Sequence, residues 1–300
     1  MSDRRIAILI DGGFFLRRLR KLVAEHRCDT PEGVVRCIRQ LCRTHVRLLT
    51  GHSAQPQARP DGSRPDTEDR WISHVYRIFY YDAQPYDGKS HHPIANREIN
   101  YAKSDLANER RSLFDLLRRQ RKVALRLGKV NQEHSWTINP RRTKELLKTR
   151  QALEALPAFA LPADVNAEVL LTLSAQAARQ LLAVRDLWAG LQAEDVSLGL
   201  RQKGVDMRIG IDIASLALKK QVDTIVLVAG DSDFVPAAKL ARREGIDFVL
   251  DPMWQSIQPD LHEHIDGLQS GLPKPTATPT ADAATASAVP TTDPEQANGP

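Results

Sequence analysis

The sequence predicts an α/β fold in which a mostly parallel central sheet carries helices on both faces. Three observations lead there. Short β-branched runs such as Ile225-Val226-Leu227-Val228 read as strands covered on both sides. Between such runs, apolar residues recur at helical spacing, as in Ile209, Ile213 and Leu216. Two of the strands also run directly into acids: residues 5–10 (RIAILI) into Asp11-Gly12-Gly13, and residues 225–229 into Gly230-Asp231-Ser232-Asp233.

In chain order, the strand at 5–10 leads into a helix over 14–23 with Phe15, Leu19 and Leu22 on its apolar face. A second helix is expected over 31–49, burying Val34, Val35, Ile38, Leu41 and Cys42. Residues 51–69, polar and rich in Gly, Pro and Ser, read as an exposed loop. A strand follows at 75–81 (VYRIFYY), then Asp82 and a loop through Pro85 and Pro93, in which His91 and His92 are expected at the surface. Residues 104–120 form a basic helix and 123–130 a strand. Residues 139–156 and 163–191 are read as helical, with Trp188 and Leu191 as packing residues. The helix carrying Asp206 and Asp212 comes next, then the strand at 225–229, a helix over 236–244 and a last strand at 246–250. The expected organisation is one domain over residues 1–268 with a helical insertion at about 151–200. A Pro/Thr/Ala-rich tail at 269–300, too poor in apolar side chains to build a core, is expected to be disordered.

No apolar run approaches the roughly 20 residues that span a bilayer, so no membrane role is expected. The opening Met-Ser-Asp-Arg-Arg lacks a secretory pattern. Cys28, Cys37 and Cys42 have neither disulfide parity nor CxxC spacing, which suits a reducing cytoplasm. The net charge is +5, and residues 97–150 hold fifteen Lys and Arg against six Asp and Glu. Such a basic concentration suits a polyanion partner, or else a solvated helical face.

In a parallel sheet Asp11 and Asp231 end on the same edge, and their carboxylates converge if the two strands are neighbours at a topological switch point. On the helix, Asp206 and Asp212 flank the buried stripe, about 9 Å apart along the axis. That is too far for both to bind one ion unless the helix starts late, so Asp206 ranks first. Carboxylates gathered in this way repel one another unless a cation neutralises them, and all-oxygen ligation selects a hard ion, Mg2+ or Mn2+. Such an ion suits phosphodiester hydrolysis. The candidate set is Asp11, Asp206, Asp231 and Asp233, with Asp212 as a further metal residue. Gly12, Gly13, Lys203 and Ser232 are candidate substrate contacts, and Arg208 is a weaker one. Taken singly, each acid could instead cap a helix or loop.

Together, IDGG after the first strand, KGVD opening a helix with a later Asp, and VAGDSDFVP after the strand at 225–229 resemble the NYN domains of the PIN-like nuclease superfamily, and within them the bacterial LabA/DUF88-type proteins. FYYDAQP and LARREG are similar as well. The resemblance spans roughly residues 5–252, and GDSDF is its most specific element. It implies a PIN-like three-layer sandwich and a metal-dependent ribonuclease acting on RNA, with the family's acids falling on Asp11, Asp206, Asp231 and Asp233, and Asp212 at a recurring acidic position. One departure is Phe14, where many NYN domains have Asn three residues after the first Asp. The main alternative is a catalytically inactive RNA-binding or regulatory module of the same fold. Against it, clustered negative charge gains nothing for a protein that only binds RNA. A nucleotide-sugar transferase using Asp231-Ser232-Asp233 leaves Asp11 and Asp206 unexplained. A phosphatase with Asp11 as nucleophile lacks the second acid, since Gly13 holds that place. The sequence leaves homo-oligomerisation open.

Overall fold

A computed structural model describes residues 4–51, 70–154, 163–164 and 166–274. Its strands are β1 (Ile6–Asp11), β2 (Val75–Gln84), β3 (Lys89–His92), β4 (Arg97–Asn100), β5 (Val123–Ile138), β6 (Val196–Lys203), β7 (Thr224–Val228), β8 (Asp247–Asp251) and β9 (Gly267–Leu268). Its α-helices are α1 (Gly12–Leu22), α2 (Pro31–Thr50), α3 (Arg70–Ser73), α4 (Asp105–Arg118), α5 (Pro140–Lys148), α6 (Arg150–Glu154), α7 (Ala175–Ala189), α8 (Val205–Leu218), α9 (Val235–Arg243) and α10 (Pro259–Glu263).

Seven strands form one sheet in the order β6-β5-β2-β1-β7-β8-β9. All neighbours are parallel except β5 and β6. Strand β1 lies inside the sheet and is apolar on both faces, so alternate side chains feed two separate cores. Ile6, Ile8 and Ile10 pack with Phe15 and Leu19 of α1, Ile38 and Leu41 of α2, and Leu113 and Leu117 of α4. Ala7 and Leu9 pack on the other side with Ile209, Ile213 and Leu216 of α8 and Ala238 and Ala241 of α9. The result is the α/β three-layer sandwich expected from the sequence. Among the described residues no helix is long and apolar enough to cross a membrane.

The connection from β1 leads to β2 on one side, whereas β7 pairs with β1 on the other, Ile10 opposite Val228. Strand order therefore reverses between β1 and β7, and this is the switch point where a ligand crevice opens beyond the strand ends.

Several expectations need correction. Residues 196–200, placed within the helical insertion, begin β6, an edge strand running antiparallel to β5. Strand β5 continues to Ile138, well past the expected end at 130, because β6 extends the pairing. Residues 89–92, within the loop expected through Pro85 and Pro93, form β3 and pair with β4 as a hairpin. His92 is only 5 % exposed rather than at the surface. Its Nδ1 accepts the Ile94 and Ala95 N–H groups, so Nε2 carries the proton and donates to Ala193 O at 3.1 Å. Trp188 is 52 % exposed and is not a core residue. Residues 163–164 and 166–174 are not helical, and α7 accounts for the helix in that stretch. Gly271 and Leu272 are buried, so the packed chain extends past 269. The loop expected over 52–69 and the tail from 275 onward lie outside the described residues.

The end of β8 is tied down by a buried polar knot. His45 Nε2 lies 2.7 Å from Asp251 Oδ2, and both side chains are fully buried. Asp251 also accepts the N–H groups of Met253 at 2.8 Å and Gly271 at 2.9 Å. Removing one partner of such a pair leaves a buried carboxylate under-served, which costs several kcal/mol. His45→Ala should therefore lower the unfolding free energy by about 3 kcal/mol or more in chemical denaturation. A loss under 1 kcal/mol would show that the knot contributes little.

Candidate functional site

The site lies beyond the C-terminal ends of β1, β2 and β7. Asp11 ends β1 and caps α1, its Oδ1 accepting the Phe14 N–H at 3.1 Å. Gly12 is demanded by sterics, since a Cβ there would fall 2.6 Å from Tyr81 O and 2.7 Å from the Tyr80 ring. A Cβ on Gly13 would point at Asp11 Oδ1 and Gln202 Oε1, at 3.4 and 3.6 Å, so this residue borders the carboxylates. Gly204 turns the chain from β6 into α8 with φ +76, and Asp206 then falls in the first turn of α8, where the helix dipole favours an anion. Asp231 caps the short 3-10 turn Ser232–Phe234, its Oδ1 accepting the Asp233 N–H at 3.0 Å.

These acids act on one another electrostatically. Burial raises the Asp11 pKa to about 6, and the charges of Asp206 and Asp82 add to the rise. Burial likewise raises Asp206, with the charges of Asp231 and Asp233 pushing the same way. Asp206 thus links the acid on β1 to the pair beyond β7. Asp212 is placed differently: its Oδ2 accepts from Tyr81 Oη at 2.8 Å and from Arg126 Nε at 2.9 Å. That ion pair ties α8 to β5. Lys203 Nζ sits 2.8 Å from Glu133 Oε1, and Arg208 Nη1 donates to Gly204 O at 2.8 Å. Ser232 is half-buried between the two acids.

Sequence reading gave Asp82 no firm role. It lies within β2, is 1 % exposed, and is paired with Arg110 of α4. It also accepts from Ala83 N at 2.8 Å and Gln202 Nε2 at 3.3 Å. Burial raises its pKa, while Arg110 acts in the opposite direction. Its position directly after VYRIFYY was the available signal; the partners were not visible, since Arg110 and Gln202 come from distant elements.

Phe14 has a clear packing role. Its ring is buried against Gly230, where an added Cβ would sit 2.6 Å from the ring edge. The residue before Asp231 is glycine because an apolar ring fills the space beside it.

Among the described residues, no three His, Cys, Asp or Glu side chains are placed to hold one metal ion. The chemistry of the donors nevertheless fits a hard divalent cation: they are carboxylate oxygens, and burial, with neighbouring carboxylates adding to it, disfavours the bare charge on Asp11 and Asp206.

The fold defines an α/β class of protein, a mostly parallel sheet with helices on both faces. Residues 174–259 match the family model of the NYN domain, a stretch that contains Asp206, Asp212, Asp231 and Asp233 and leaves Asp11 outside. NYN domains have a PIN-like nuclease fold; they are generally nucleases that act on RNA and usually use divalent metals. No curated protein matches the chain. A crystal structure of a protein of unknown function from Vibrio parahaemolyticus is 12 % identical, with 90 % of this chain and 95 % of that chain covered. Its TM-score is 0.34.

The Asp11 shift has a consequence in metal-free protein. A carboxyl with pKa near 6 when folded, against 3.8 unfolded, keeps its proton to higher pH in the folded state. Its contribution to stability is then greatest below about pH 4 and falls as pH rises through 6. Asp11→Asn keeps an acceptor for the Phe14 N–H and removes the repelled charge. In EDTA at pH 8 the variant should be more stable by roughly 2 kcal/mol, with a flatter melting profile between pH 4 and 7. A variant less stable than wild type at pH 8 would contradict this.

Proposed function

We propose that the protein is a metal-dependent endoribonuclease of the LabA/DUF88-like NYN group, cutting single-stranded RNA at the carboxylates beyond β1 and β7. The observation that carries the proposal is the pairing of β1 with β7, which sets Asp11 and the Asp231–Asp233 turn at one edge of the sheet, with Asp206 in the field of Asp11 on one side and of Asp231 and Asp233 on the other. Keeping such charges together costs folding free energy, and a divalent cation turns that cost into binding affinity.

Asp11, Asp206 and Asp231 would hold the ion, either Mg2+ or Mn2+, with Asp233 beside them. Bound there, the ion supplies charge neutralisation for the phosphodiester and activation of the attacking water. The protein's own groups supply the rest. Asp231 and Asp233 are exposed and positioned by the 3-10 turn, so they meet the substrate side of the crevice. Gly13, beside Asp11, leaves the end of β1 open to the phosphate backbone, while Gly12 lets α1 start close against Tyr80 and Tyr81 and so sets the height of that edge. Lys203, at the end of β6, is the candidate phosphate ligand, and Glu133 holds it until phosphate competes for the ammonium. Asp212 serves position rather than ligation, since Arg126 and Tyr81 engage it. The three cysteines are free, in keeping with RNA processing in a reducing cytoplasm.

A second reading, a catalytically inactive RNA-binding module, draws support from Phe14, which puts an apolar ring where many NYN domains have Asn.

The test is cleavage of an end-labelled single-stranded RNA by wild type and Asp231→Asn, each with Mg2+, Mn2+ or EDTA. The proposal expects metal-dependent cutting that falls at least about a hundredfold in the variant, the size of loss typical when a charge-stabilising catalytic group is removed. A folded wild type that binds RNA without cutting it would favour the second reading.

A further inference from the structure

The loop after β8 contains a feature that neither core packing nor the carboxylates explain. Met253 and Trp254 both adopt positive φ, 48 and 62, a region that bulky residues rarely enter. Such backbone persists only where its surroundings over-determine it, and it gathers at functional sites. Here the surroundings are explicit. Arg18 of α1 donates to Met253 O from Nε at 3.1 Å and Nη2 at 2.6 Å. The Met253 N–H goes to Asp251 of the buried His45 knot, and the Trp254 N–H goes to Ser270 Oγ at 3.2 Å. Trp254 Nε1 donates to Leu272 O at 2.8 Å.

The effect of these bonds is to present an indole rather than bury it. Met253 is fully buried, whereas Trp254 is 45 % exposed. With its N–H satisfied, the part of Trp254 left to interact is its apolar ring. The loop also reaches the chain just past β7: Gln255 Nε2 would lie 3.3 Å from a Cβ on Gly230, the residue before Asp231. Lys274 Nζ stands 5.9 Å from the centre of the Trp254 ring, so a cation accompanies the exposed aromatic surface.

We infer that Trp254 is a stacking platform for an unpaired base of the RNA strand beside the Asp231 crevice, with Lys274 meeting the neighbouring phosphate. The inference rests on the reading of RNA as substrate but not on catalysis. A flat aromatic with a nearby cation is how proteins hold single strands without reading sequence, because every base has a face to stack. The platform's rigidity adds to affinity, since the indole is already held in place before the base arrives. It also selects single strands, because bases paired within a duplex have no free face to offer.

The test uses full-length protein carrying Asp231→Asn, so that RNA stays intact, and measures binding of a labelled single-stranded RNA by anisotropy. A second oligonucleotide of equal length and charge carries abasic positions. Trp254→Leu should weaken binding of the base-bearing RNA by about tenfold and leave the abasic RNA unchanged. Trp254→Phe should retain affinity within about threefold, although it also loses the bond to Leu272 O. Equal losses in Phe and Leu would mean that the indole only latches residues 270–272, and the inference would fall. It would fall equally if the Leu variant still preferred base-bearing RNA as strongly as its parent, or if the folded parent bound neither oligonucleotide. A wild type that cuts RNA alongside either result would leave the nuclease proposal standing. Conversely, base preference dependent on Trp254 in a protein that never cuts would uphold the platform and remove the nuclease.

Discussion

The rest of the structure depends on the position of β1. Residues 6–10 of β1 are apolar and buried on both faces, and the strand's one acid stands at its end. Parallel strands put their C-terminal ends on one edge, and pairing β1 with β7 brings Asp11 and the Asp231–Asp233 turn to the same opening. Helix α8 then adds Asp206 from its first turn. Burial at the strand end does most to disfavour the Asp11 charge, and the neighbouring carboxylates that the topology brings there add to it. Neighbouring features fit this constraint. Gly12 lets α1 start hard against β2, Phe14 closes the space against Gly230, and Arg110 neutralises Asp82 where a further bare carboxylate would compound the repulsion.

Most of the parallel core was legible in the sequence, because its signals are local. The runs at 5–10, 75–81 and 225–229 are continuous and apolar, as strands buried on both faces must be. The stripe Ile209, Ile213 and Leu216 faces the core containing Ala7 and Leu9, as its spacing requires. What escaped depends on pairing between distant residues. Strand β6 is an edge strand with exposed Arg201 and Lys203 and a Gly in its middle, so its pattern is polar and broken, and only β5 makes it a strand. The hairpin at 89–100 holds two Pro-flanked histidines that read as loop, yet His92 is buried because its ring nitrogens satisfy two backbone donors and one carbonyl.

The candidate site divides in the same way. Asp11, Asp231 and Asp233 were visible as strand-end acids, and helix geometry ranked Asp206 above Asp212. The structure places Asp212 with Arg126 and Tyr81, a pairing that no spacing rule could reveal. Asp82 and its partners Arg110 and Gln202 come from three separate elements, and the Gln202 bond closes a separation of 120 residues. Trp254 was silent in the sequence because a lone Trp after a strand ordinarily packs; only its backbone and exposure mark it out.

We propose that the fold gathers these acids for a divalent cation. The most direct measurement is calorimetric titration of Mn2+ into metal-free wild type and into Asp206→Asn at pH 7.5, without RNA. Saturable binding by the wild type that weakens at least about tenfold in the variant is the predicted result, a loss typical when a group supporting a metal site is removed. Equal binding by both proteins, or no binding by a folded wild type, would contradict the claim and leave the carboxylates at the switch point without a cation to explain them.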